Sequence, residues 1–233
     1  MIRKLLPKSV RKRAWTLYME RVRRYARKSY SQEGEDMVLR RIFEGQRSGF
    51  FVDVGAHHPT RFSNTFFFYS LGWRGINIEP NPVGFALLQA QRPADTNVQC
   101  GISDAPGTLD YYMFSEPALN TFDAETAELH KSIATLARVE QIAVRRLDEV
   151  LAEKLPAGQA VDFFTVDVEG HDLQVLQSNN WDAVRPKIVI AEALGTDVAK
   201  VQASEMAQFM DSVGYDFYAK TVNSSFFRRR EES

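Results

Sequence analysis

The strongest constraint on the fold is a run of five residues, Phe50–Val54, that ends at Gly55. Four of the five are apolar, and so short an apolar run is typical of a strand buried on both faces of a parallel sheet. Similar runs recur at 75–79, 162–168 and 187–191, with helical segments between them. Strands that alternate with helices predict an α/β fold, in which helices cover both faces of a mostly parallel sheet.

The chain has 233 residues, 44% of them hydrophobic, which is enough for one domain with a sizeable core. No apolar run approaches the ~20 residues that cross a bilayer, and residues 1–29 lack the apolar stretch of a secretory signal. The single cysteine, Cys100, excludes an internal disulfide and suits a reducing compartment. We therefore expect a cytoplasmic protein with one domain over residues 30–233, preceded by a basic helical extension over residues 1–29.

Charge divides sharply between this extension and the rest of the chain. Residues 1–29 hold eleven Lys or Arg and one Glu, a net charge of +10, whereas the remaining residues carry −11. Residues 8–28 are predicted to form a helix with Val10, Trp15, Tyr18, Val22 and Tyr25 roughly on one face. Such a helix is typical of peripheral contact with an anionic membrane, here its inner face, and equally of contact between two copies of the chain. Nucleic acid is not expected, because no base-reading motif accompanies the helix and the body is acidic.

Polar residues follow several predicted strands at the point where each strand ends. They are Asp53, Glu79, Ser103 with Asp104, Asp167 with Glu169, and Glu192. Ligands of an open parallel sheet bind in the crevice beyond the carboxyl ends of its strands. Burying carboxylates without partners costs several kcal/mol or shifts their pKa values, so we expect these groups to face a wet or cationic site.

The loop after the first strand discriminates between two classes of cofactor. Glu79 ends the next predicted strand, where a carboxylate can accept both hydroxyls of an adenosine ribose. A dinucleotide site also needs Gly-x-Gly-x-x-Gly, but the loop here reads Gly55-Ala56-His57-His58-Pro59. S-adenosylmethionine has no phosphate and carries an ammonium and a sulfonium, which favour a nearby carboxylate such as Asp53. The pattern therefore favours an S-adenosylmethionine site, although Asp53 could also merely end its strand.

Several segments together resemble the FkbM family of methyltransferases. Each segment alone is weak, but the set is specific and follows the family's order from residue 30 to residue 192. The segments are Tyr30-Ser31-Gln32-Glu33-Gly34-Glu35-Asp36, Phe51-Val52-Asp53-Val54-Gly55-Ala56, Ser63-Asn64-Thr65, Leu71-Gly72-Trp73-Arg74-Gly75-Ile76-Asn77-Ile78-Glu79-Pro80-Asn81, Ile102-Ser103-Asp104 and Asp167-Val168-Glu169-Gly170-His171-Asp172.

The resemblance implies a Rossmann-like class I methyltransferase fold that transfers a methyl group from S-adenosylmethionine, usually to oxygen. Acceptors in the family are often sugars, glycans or polyketide-type products. The cofactor-binding residues that we expect from the resemblance are Gln32, Asp53, Gly55, Asn64, Glu79, Pro80, Asn81, Ser103, Asp104 and Asp167.

The acceptor side needs a group that removes a proton, since a hydroxyl is a poor nucleophile at neutral pH. His171 is our first choice as general base because an imidazole titrates near physiological pH, and Asp167 and Glu169 should reach the crevice floor beside it. A purely structural role for His171, at the start of a helix, is the alternative. His57 and His58 are rival bases, of which at most one is expected to point inward.

A metal ion is an alternative aid to the same step. Asp167 and Glu192 are expected to end neighbouring strands, where Mg²⁺ or Mn²⁺ would bridge them to two acceptor oxygens. Residues 115–137 are expected to form a loop with helical content and to act as a lid over the acceptor. His130, within that segment, receives no role.

The favoured function is an S-adenosylmethionine-dependent O-methyltransferase acting on a hydroxyl of a sugar, glycan or related polyhydroxylated small molecule. A nicotinamide-dependent oxidoreductase would share the ribose-binding carboxylate, but it requires the glycines that this loop lacks. A non-catalytic partner that keeps the cofactor fold without its chemistry is the other alternative.

Overall fold

The computed structural model describes residues 7–23, 25–193, 195 and 197–231. A seven-stranded sheet forms its centre, in the order β3-β2-β1-β7-β8-β10-β9. Its strands are β1 Phe50–Val54, β2 Arg74–Ile78, β3 Thr96–Val98, β7 Phe163–Val166, β8 Ile188–Glu192, β9 Tyr215–Lys220 and β10 Ser224–Arg229. The first five strands in that order are parallel, and β10 runs antiparallel to both of its neighbours. The predicted α/β fold with a mostly parallel sheet is confirmed.

Helices cover both faces of this sheet. The α-helices of the described residues are α1 Lys8–Tyr18, which buries no side chain, and α2 Glu35–Ile42, α3 Phe66–Ser70, α4 Pro82–Gln91, α5 Ala124–His130, α6 Leu147–Lys154, α7 Asp172–Gln177, α8 Val198–Gln202 and α9 Glu205–Ser212. No helix of the described part of the chain is long and apolar enough to span a membrane.

Successive residues of β1 belong to two different cores, as expected of a strand that is buried on both faces. Val52 and Val54 join the core that contains residues of α6, α7 and α9. Phe51 joins the core that contains Leu39 of α2 and Phe68 of α3. Because β2 and β7 flank β1 and the chain order reverses there, the carboxyl end of β1 lies at the switch point where α/β sheets bind ligands.

A second, three-stranded sheet departs from the prediction. Residues 98–102 read as one strand, but the structure divides them between β3 and a separate strand, β4 Gly101–Ile102. The second sheet has the order β4-β6-β5, with β5 Gly107–Phe114 antiparallel to β6 Leu136–Arg145. The chain changes partner between the two strands, from β2 to β6, and this long-range pairing is not visible in local sequence.

The N-terminal segment also differs from the prediction. The helix expected over residues 8–28 ends at Tyr18 and continues only as a π-helical turn, Met19–Arg23. Serine is a favoured N-cap residue, but Ser31 does not occupy the N-cap position of α2, which begins after Gly34 (φ 90°). Its hydroxyl instead accepts a hydrogen bond from the Asp36 backbone at 2.8 Å. Ser29 donates to the Asp36 carboxylate, so the segment before α2 is held to the body by this buried acid.

Candidate active site

A cleft opens at the carboxyl end of β1. We call it the first cleft. It is lined by the loops after β1, β2 and β7 and by the segment before α2. Strand β5 and the segment that follows β5 complete the lining. Its lining residues are Gln32, Gly55, His57, Phe62, Glu79, Pro80, Tyr111, Pro117, Ala118, Asn120, Phe122, Asp167, Val168 and Glu169.

Gly55 allows the loop after β1 to pass close to the end of β7. Its φ is 80°, and a Cβ atom at this position would overlap the carbonyl oxygen of Asp167. The Asp167 amide in turn donates to the Val54 carbonyl at 3.1 Å. Any larger residue would push these two loops apart, so the glycine creates a close backbone approach at the cleft floor.

Glu79 presents a buried carboxylate to the cleft from the end of β2. Its two oxygens accept the backbone N–H groups of His57 at 2.6 Å and Asn81 at 2.8 Å. Burial raises its pKa to about 7, against the lowering effect of those two hydrogen bonds. A carboxylate held in this way has lone pairs left over for the hydroxyls of a ribose.

His57 is the predicted rival base that lines the cleft. Burial, with the nearby positive charge of Arg61, lowers its pKa to about 4, so the ring is neutral at physiological pH. Its Nε2 atom is buried and has no hydrogen-bond partner among the described residues. His58 has a structural contact instead, because its Nδ1 accepts the backbone N–H groups of Thr60 and Arg61.

Asp53 lies beneath the first cleft and not among its lining residues. Its carboxylate accepts a hydrogen bond from Thr65 at 2.7 Å, and Arg92 donates to the same hydroxyl at 2.8 Å. Arg92 also forms a fully buried ion pair with Asp95. Burial raises the pKa of Asp53 to about 6, which the Thr65 hydrogen bond and the Arg92 charge partly offset. The structure therefore places Asp53 in a network that supports the end of β1.

Two of the expected cofactor residues make local structural contacts outside the lining. Asn64 donates to the Thr165 hydroxyl at 2.9 Å and so ties the loop before α3 to β7. Asn81 caps α4, because its side-chain oxygen accepts the Val83 amide at 3.0 Å. Pro80, between Asn81 and the buried Glu79, does line the first cleft.

A separate cluster, outside the lining of the first cleft, is formed by Ser103, Asp104 and His171. The Ser103 hydroxyl lies 3.1 Å from Nε2 of His171 and donates to Asp104. Burial lowers the pKa of His171, against the raising effect of Asp104 and Asp123. His171 does not line the first cleft. Its contact with Ser103 instead joins the segments that follow β4 and β7.

The carboxylates of Asp167, Glu169 and Glu192 converge at one place. One oxygen of each lies within 4.8 Å of the others, which brings together the predicted metal ligands Asp167 and Glu192 and adds Glu169. Desolvation is the main cause that raises the pKa of Asp167 to about 6, of Glu192 to about 8 and of Glu169 to about 9. Repulsion adds to it, from Asp53 at Asp167, from Asp167 at Glu192 and from Glu192 at Glu169. Groups perturbed this strongly favour a positively charged ligand, since a cation relieves the repulsion.

A second cleft shares the lining residue Glu169 with the first. Its lining residues are Thr126, Leu129, His130, Glu169, Gly170, Asp172, Leu173, Glu192 and Met206. Glu169 adopts a left-handed backbone conformation, with φ of 54°, and its carbonyl accepts a hydrogen bond from Thr121 at 2.7 Å. Backbone strain of this kind concentrates at functional sites, and here it belongs to the residue that both clefts share.

His130 is a site residue that the sequence did not indicate. Its Nδ1 lies 2.9 Å from the Leu119 carbonyl, and its Nε2 lies 3.6 Å from a carboxylate oxygen of Glu169. A carbonyl oxygen only accepts, so Nδ1 carries a proton and donates it to Leu119, while Nε2 faces Glu169. Both contacts join residues distant in sequence, and no local pattern predicts them.

Three solved methyltransferases are among the structures similar to this chain. Precorrin-6y C5,15-methyltransferase from Geobacter metallireducens has 12% identity and a TM-score of 0.46, over 87% of this chain and 91% of that chain. A TehB-like SAM-dependent methyltransferase from Corynebacterium glutamicum has 9% identity and a TM-score of 0.42, over 96% and 100%. A putative RNA methyltransferase from Pyrococcus horikoshii has 10% identity and a TM-score of 0.43, over 84% and 83%. No curated protein matches the sequence significantly.

A family model described as the methyltransferase FkbM domain matches residues 53–217. The matched region contains the end of β1, all of β2, the loops that hold Gly55 and Glu79, and the carboxylates at the ends of β7 and β8. Together with the sheet order it establishes the Rossmann-like class I methyltransferase fold and an enzymatic function. The oxidoreductase and the non-catalytic alternatives are therefore set aside. Because the match spans most of the chain, the protein belongs to the FkbM family of S-adenosylmethionine-dependent methyltransferases.

Proposed function

We propose that the enzyme is an O-methyltransferase that acts on a hydroxyl of a sugar, glycan or related polyhydroxylated small molecule. In this proposal the cofactor binds in the first cleft and the acceptor binds in the second. The observation that carries the proposal is the position of Glu169, whose side chain lines both clefts. A transfer enzyme needs such a meeting point, because donor and acceptor have to be aligned across it.

The residues of the first cleft fit S-adenosylmethionine. Gly55 brings the loops after β1 and β7 together at the floor of the cleft, and Glu79 offers a buried carboxylate to the ribose hydroxyls. Asp167 and Glu169 supply the negative charge that the ammonium and the sulfonium favour. Gln32 and Pro80 complete the lining on the two sides. When bound, the cofactor supplies a methyl group on a positively charged sulfur.

The second cleft combines polar and apolar surface. Glu192, His130 and Glu169 offer hydrogen-bond partners that suit hydroxyl groups. Leu129 and Met206 form apolar wall, and Leu129 keeps 71% of its surface exposed at the edge of the cleft. This composition suits an acceptor that carries hydroxyls on a partly apolar body. The segment predicted to act as an acceptor lid contributes Thr126, Leu129 and His130 to this lining.

We propose Glu169 as the group that takes the proton from the acceptor hydroxyl. Its carboxylate lies at the junction of the clefts, whereas His171 hydrogen-bonds Ser103 outside the first cleft. Glu169 has a pKa of about 9 in the ligand-free protein and is then protonated at physiological pH. A positive charge in the first cleft lowers that pKa and prepares the carboxylate to accept a proton. His130, 3.6 Å away, is placed to share that proton.

A divalent metal is a second proposal for the same step. The convergence of Asp167, Glu169 and Glu192 within 4.8 Å supports it, since hard cations such as Mg²⁺ and Mn²⁺ prefer carboxylate oxygens. Turnover that is lost in EDTA and restored by Mg²⁺ or Mn²⁺ would support a metal-assisted reaction. Turnover that is unchanged in EDTA would leave Glu169 to act alone.

The experiment that tests the proposed reaction is an acceptor screen over nucleotide sugars, free glycosides and hydroxylated polyketides, with radiolabelled S-adenosylmethionine. We expect label to appear in a product whose new methyl group is bonded to oxygen. Label on nitrogen or carbon of an acceptor would contradict O-methylation. The single cysteine, Cys100, is buried and free, which supports a reducing compartment such as the cytoplasm as the proposed location.

A further inference from the structure

The N-terminal helix leaves a large apolar surface uncovered. No side chain of α1 is buried, and Trp15, Leu17 and Tyr18 keep 56%, 45% and 43% of their surface exposed. Val22 and Tyr25, in the turn after the helix, are exposed by 67% and 62%. Single exposed apolar residues are ordinary, but a contiguous group of them marks an interaction surface.

The apolar residues of α1 form a stripe along one side of the helix. Ala14, Leu17 and Tyr18 follow Val10 by four, seven and eight residues, which places all four on one face. Trp15 borders this stripe, with its ring centroid 5.7 Å from that of Tyr18. Trp and Tyr rings favour the boundary between lipid headgroups and acyl chains, because one end of each is apolar and the other is polar.

Basic residues surround the stripe. Residues 8–28 contain nine Lys or Arg against one acidic residue, Glu20, a net charge of +8. Lys8, Lys12 and Arg13 are exposed, and their long stems let the charged ends reach headgroups while the stripe inserts. The rest of the chain is acidic. An anionic surface therefore attracts the helix and repels the body, which orients the protein.

We propose that α1 and the turn after it bind the surface of a membrane that contains anionic lipids. The stripe of Val10, Ala14, Leu17 and Tyr18 lies among the headgroups, and the acidic body faces away. The complementary charge and the aromatic residues on the apolar side favour a lipid surface over a second copy of the chain.

This placement brings the first cleft close to the membrane. The segment after the helix packs against the body through Tyr30, whose carbonyl accepts the Ser63 amide at 3.1 Å and whose ring lies 4.7 Å from that of Phe66. Gln32, two residues further on, lines the first cleft. Gln32 follows Tyr25, the last residue of the proposed contact, by seven residues, so membrane binding tethers the cleft within about 25 Å of chain from the lipid surface.

Binding is measured by flotation of the full-length chain with two kinds of vesicle. One kind contains equal parts of phosphatidylglycerol and phosphatidylcholine, and the other contains phosphatidylcholine alone. We expect the protein to float with the anionic vesicles only, and less so at high salt because screening weakens the attraction. Trp15 gives a second readout: Trp73 and Trp181 are buried, so a blue shift of tryptophan emission on vesicle addition reports Trp15.

A matched pair of variants localises the contact. Leu17→Glu places a charge in the stripe, whereas Leu71→Glu makes the same change at an exposed leucine on the body, 54% exposed. We expect Leu17→Glu to weaken partitioning into anionic vesicles by about tenfold or more, and Leu71→Glu to leave it unchanged. Thermal unfolding should be the same for Leu17→Glu as for the unsubstituted chain, since α1 buries no side chain.

Three results would overturn the proposal. The first is full-length protein that does not float with anionic vesicles. The second is equal flotation of the Leu17→Glu and Leu71→Glu variants. The third is a dimer in sedimentation velocity that Leu17→Glu dissociates while the unsubstituted chain stays off the vesicles, which would assign the stripe to a second copy of the chain.

Discussion

Nε2 of His130 lies 3.6 Å from Oε2 of Glu169, at the point where the two clefts meet. That separation is longer than a direct hydrogen bond, so each of the two groups is left able to bond to a ligand hydroxyl. The Leu119 carbonyl orients the ring by its contact with Nδ1 at 2.9 Å. We interpret the pair as the place where the acceptor hydroxyl is held.

Loss of the Glu169 carboxylate should slow the reaction more than it weakens cofactor binding. We expect Glu169→Gln to lower kcat by about 100-fold or more, the range of general base catalysis. Affinity for S-adenosylhomocysteine, measured by calorimetry, should change by far less. Glu128→Gln, at an exposed position of α5, is the control and should keep full turnover. Unchanged kcat in Glu169→Gln would rule Glu169 out as the base.

The two histidine candidates can be separated by the same substitution at each. We expect His130→Gln to lower kcat roughly tenfold or more, because Nε2 faces the junction of the clefts. His171→Gln should leave kcat near its original value, since His171 hydrogen-bonds Ser103 away from the first cleft. Steady-state kcat values, measured with one identified acceptor, distinguish the two assignments. The reverse order of effects would restore His171 as the base expected from the sequence.

Gly55 should tolerate no side chain. Gly55→Ala combines a φ of 80° with overlap at the Asp167 carbonyl, so we expect a loss of about 2–4 kcal/mol in the free energy of unfolding. Urea unfolding measures this loss. Gly107→Ala is the control, because a Cβ atom there meets nothing within 4 Å. Equal stability of the two variants would mean that the loops at the cleft floor are not in close contact.

Stability of the ligand-free protein should fall as pH rises. The pKa values of Glu192 and Glu169 in the folded protein are raised to about 8 and about 9, so the folded state binds more protons than the unfolded state. Their contribution to the free energy of unfolding is therefore fully present below the ordinary glutamate pKa. It is lost as pH rises through the two raised pKa values of the folded protein. Thermal unfolding at several pH values checks this.

The Glu169→Gln variant shows whether that pH dependence comes from the cluster. Removing one repelling charge should raise the midpoint of thermal unfolding at alkaline pH, by roughly 5 °C, and change it little in acid. A pH profile that keeps its slope in the variant would show that other groups are responsible.

Much of the central sheet could be predicted because its signals are local. Phe50–Val54 has the apolar run of a buried strand, and α4 begins where Pro82 follows the cap residue Asn81. The split between β3 and β4 could not be predicted, because β4 pairs with β6 more than forty residues away. Helix α8, Val198–Gln202, was also missed, since one short helical turn has no clear periodicity.

The sequence predicted some residues of the site and not others, because only some of their positions depend on local signals. Strand ends identified the carboxylates of Glu79, Asp167 and Glu192, since parallel strands bring their carboxyl ends to one edge of the sheet. The direction in which Asp53 points depends on Thr65 and on Arg92, a contact that only the tertiary structure shows.

The central claim is that the first cleft binds S-adenosylmethionine, and calorimetric titration of the full-length protein with S-adenosylhomocysteine and with NAD tests it most directly. We expect S-adenosylhomocysteine to bind with micromolar or tighter affinity and NAD not to bind. We also expect Glu79→Gln to weaken S-adenosylhomocysteine binding by about tenfold, since in the proposed site its carboxylate accepts the ribose hydroxyls. Binding of NAD without binding of S-adenosylhomocysteine would contradict the claim.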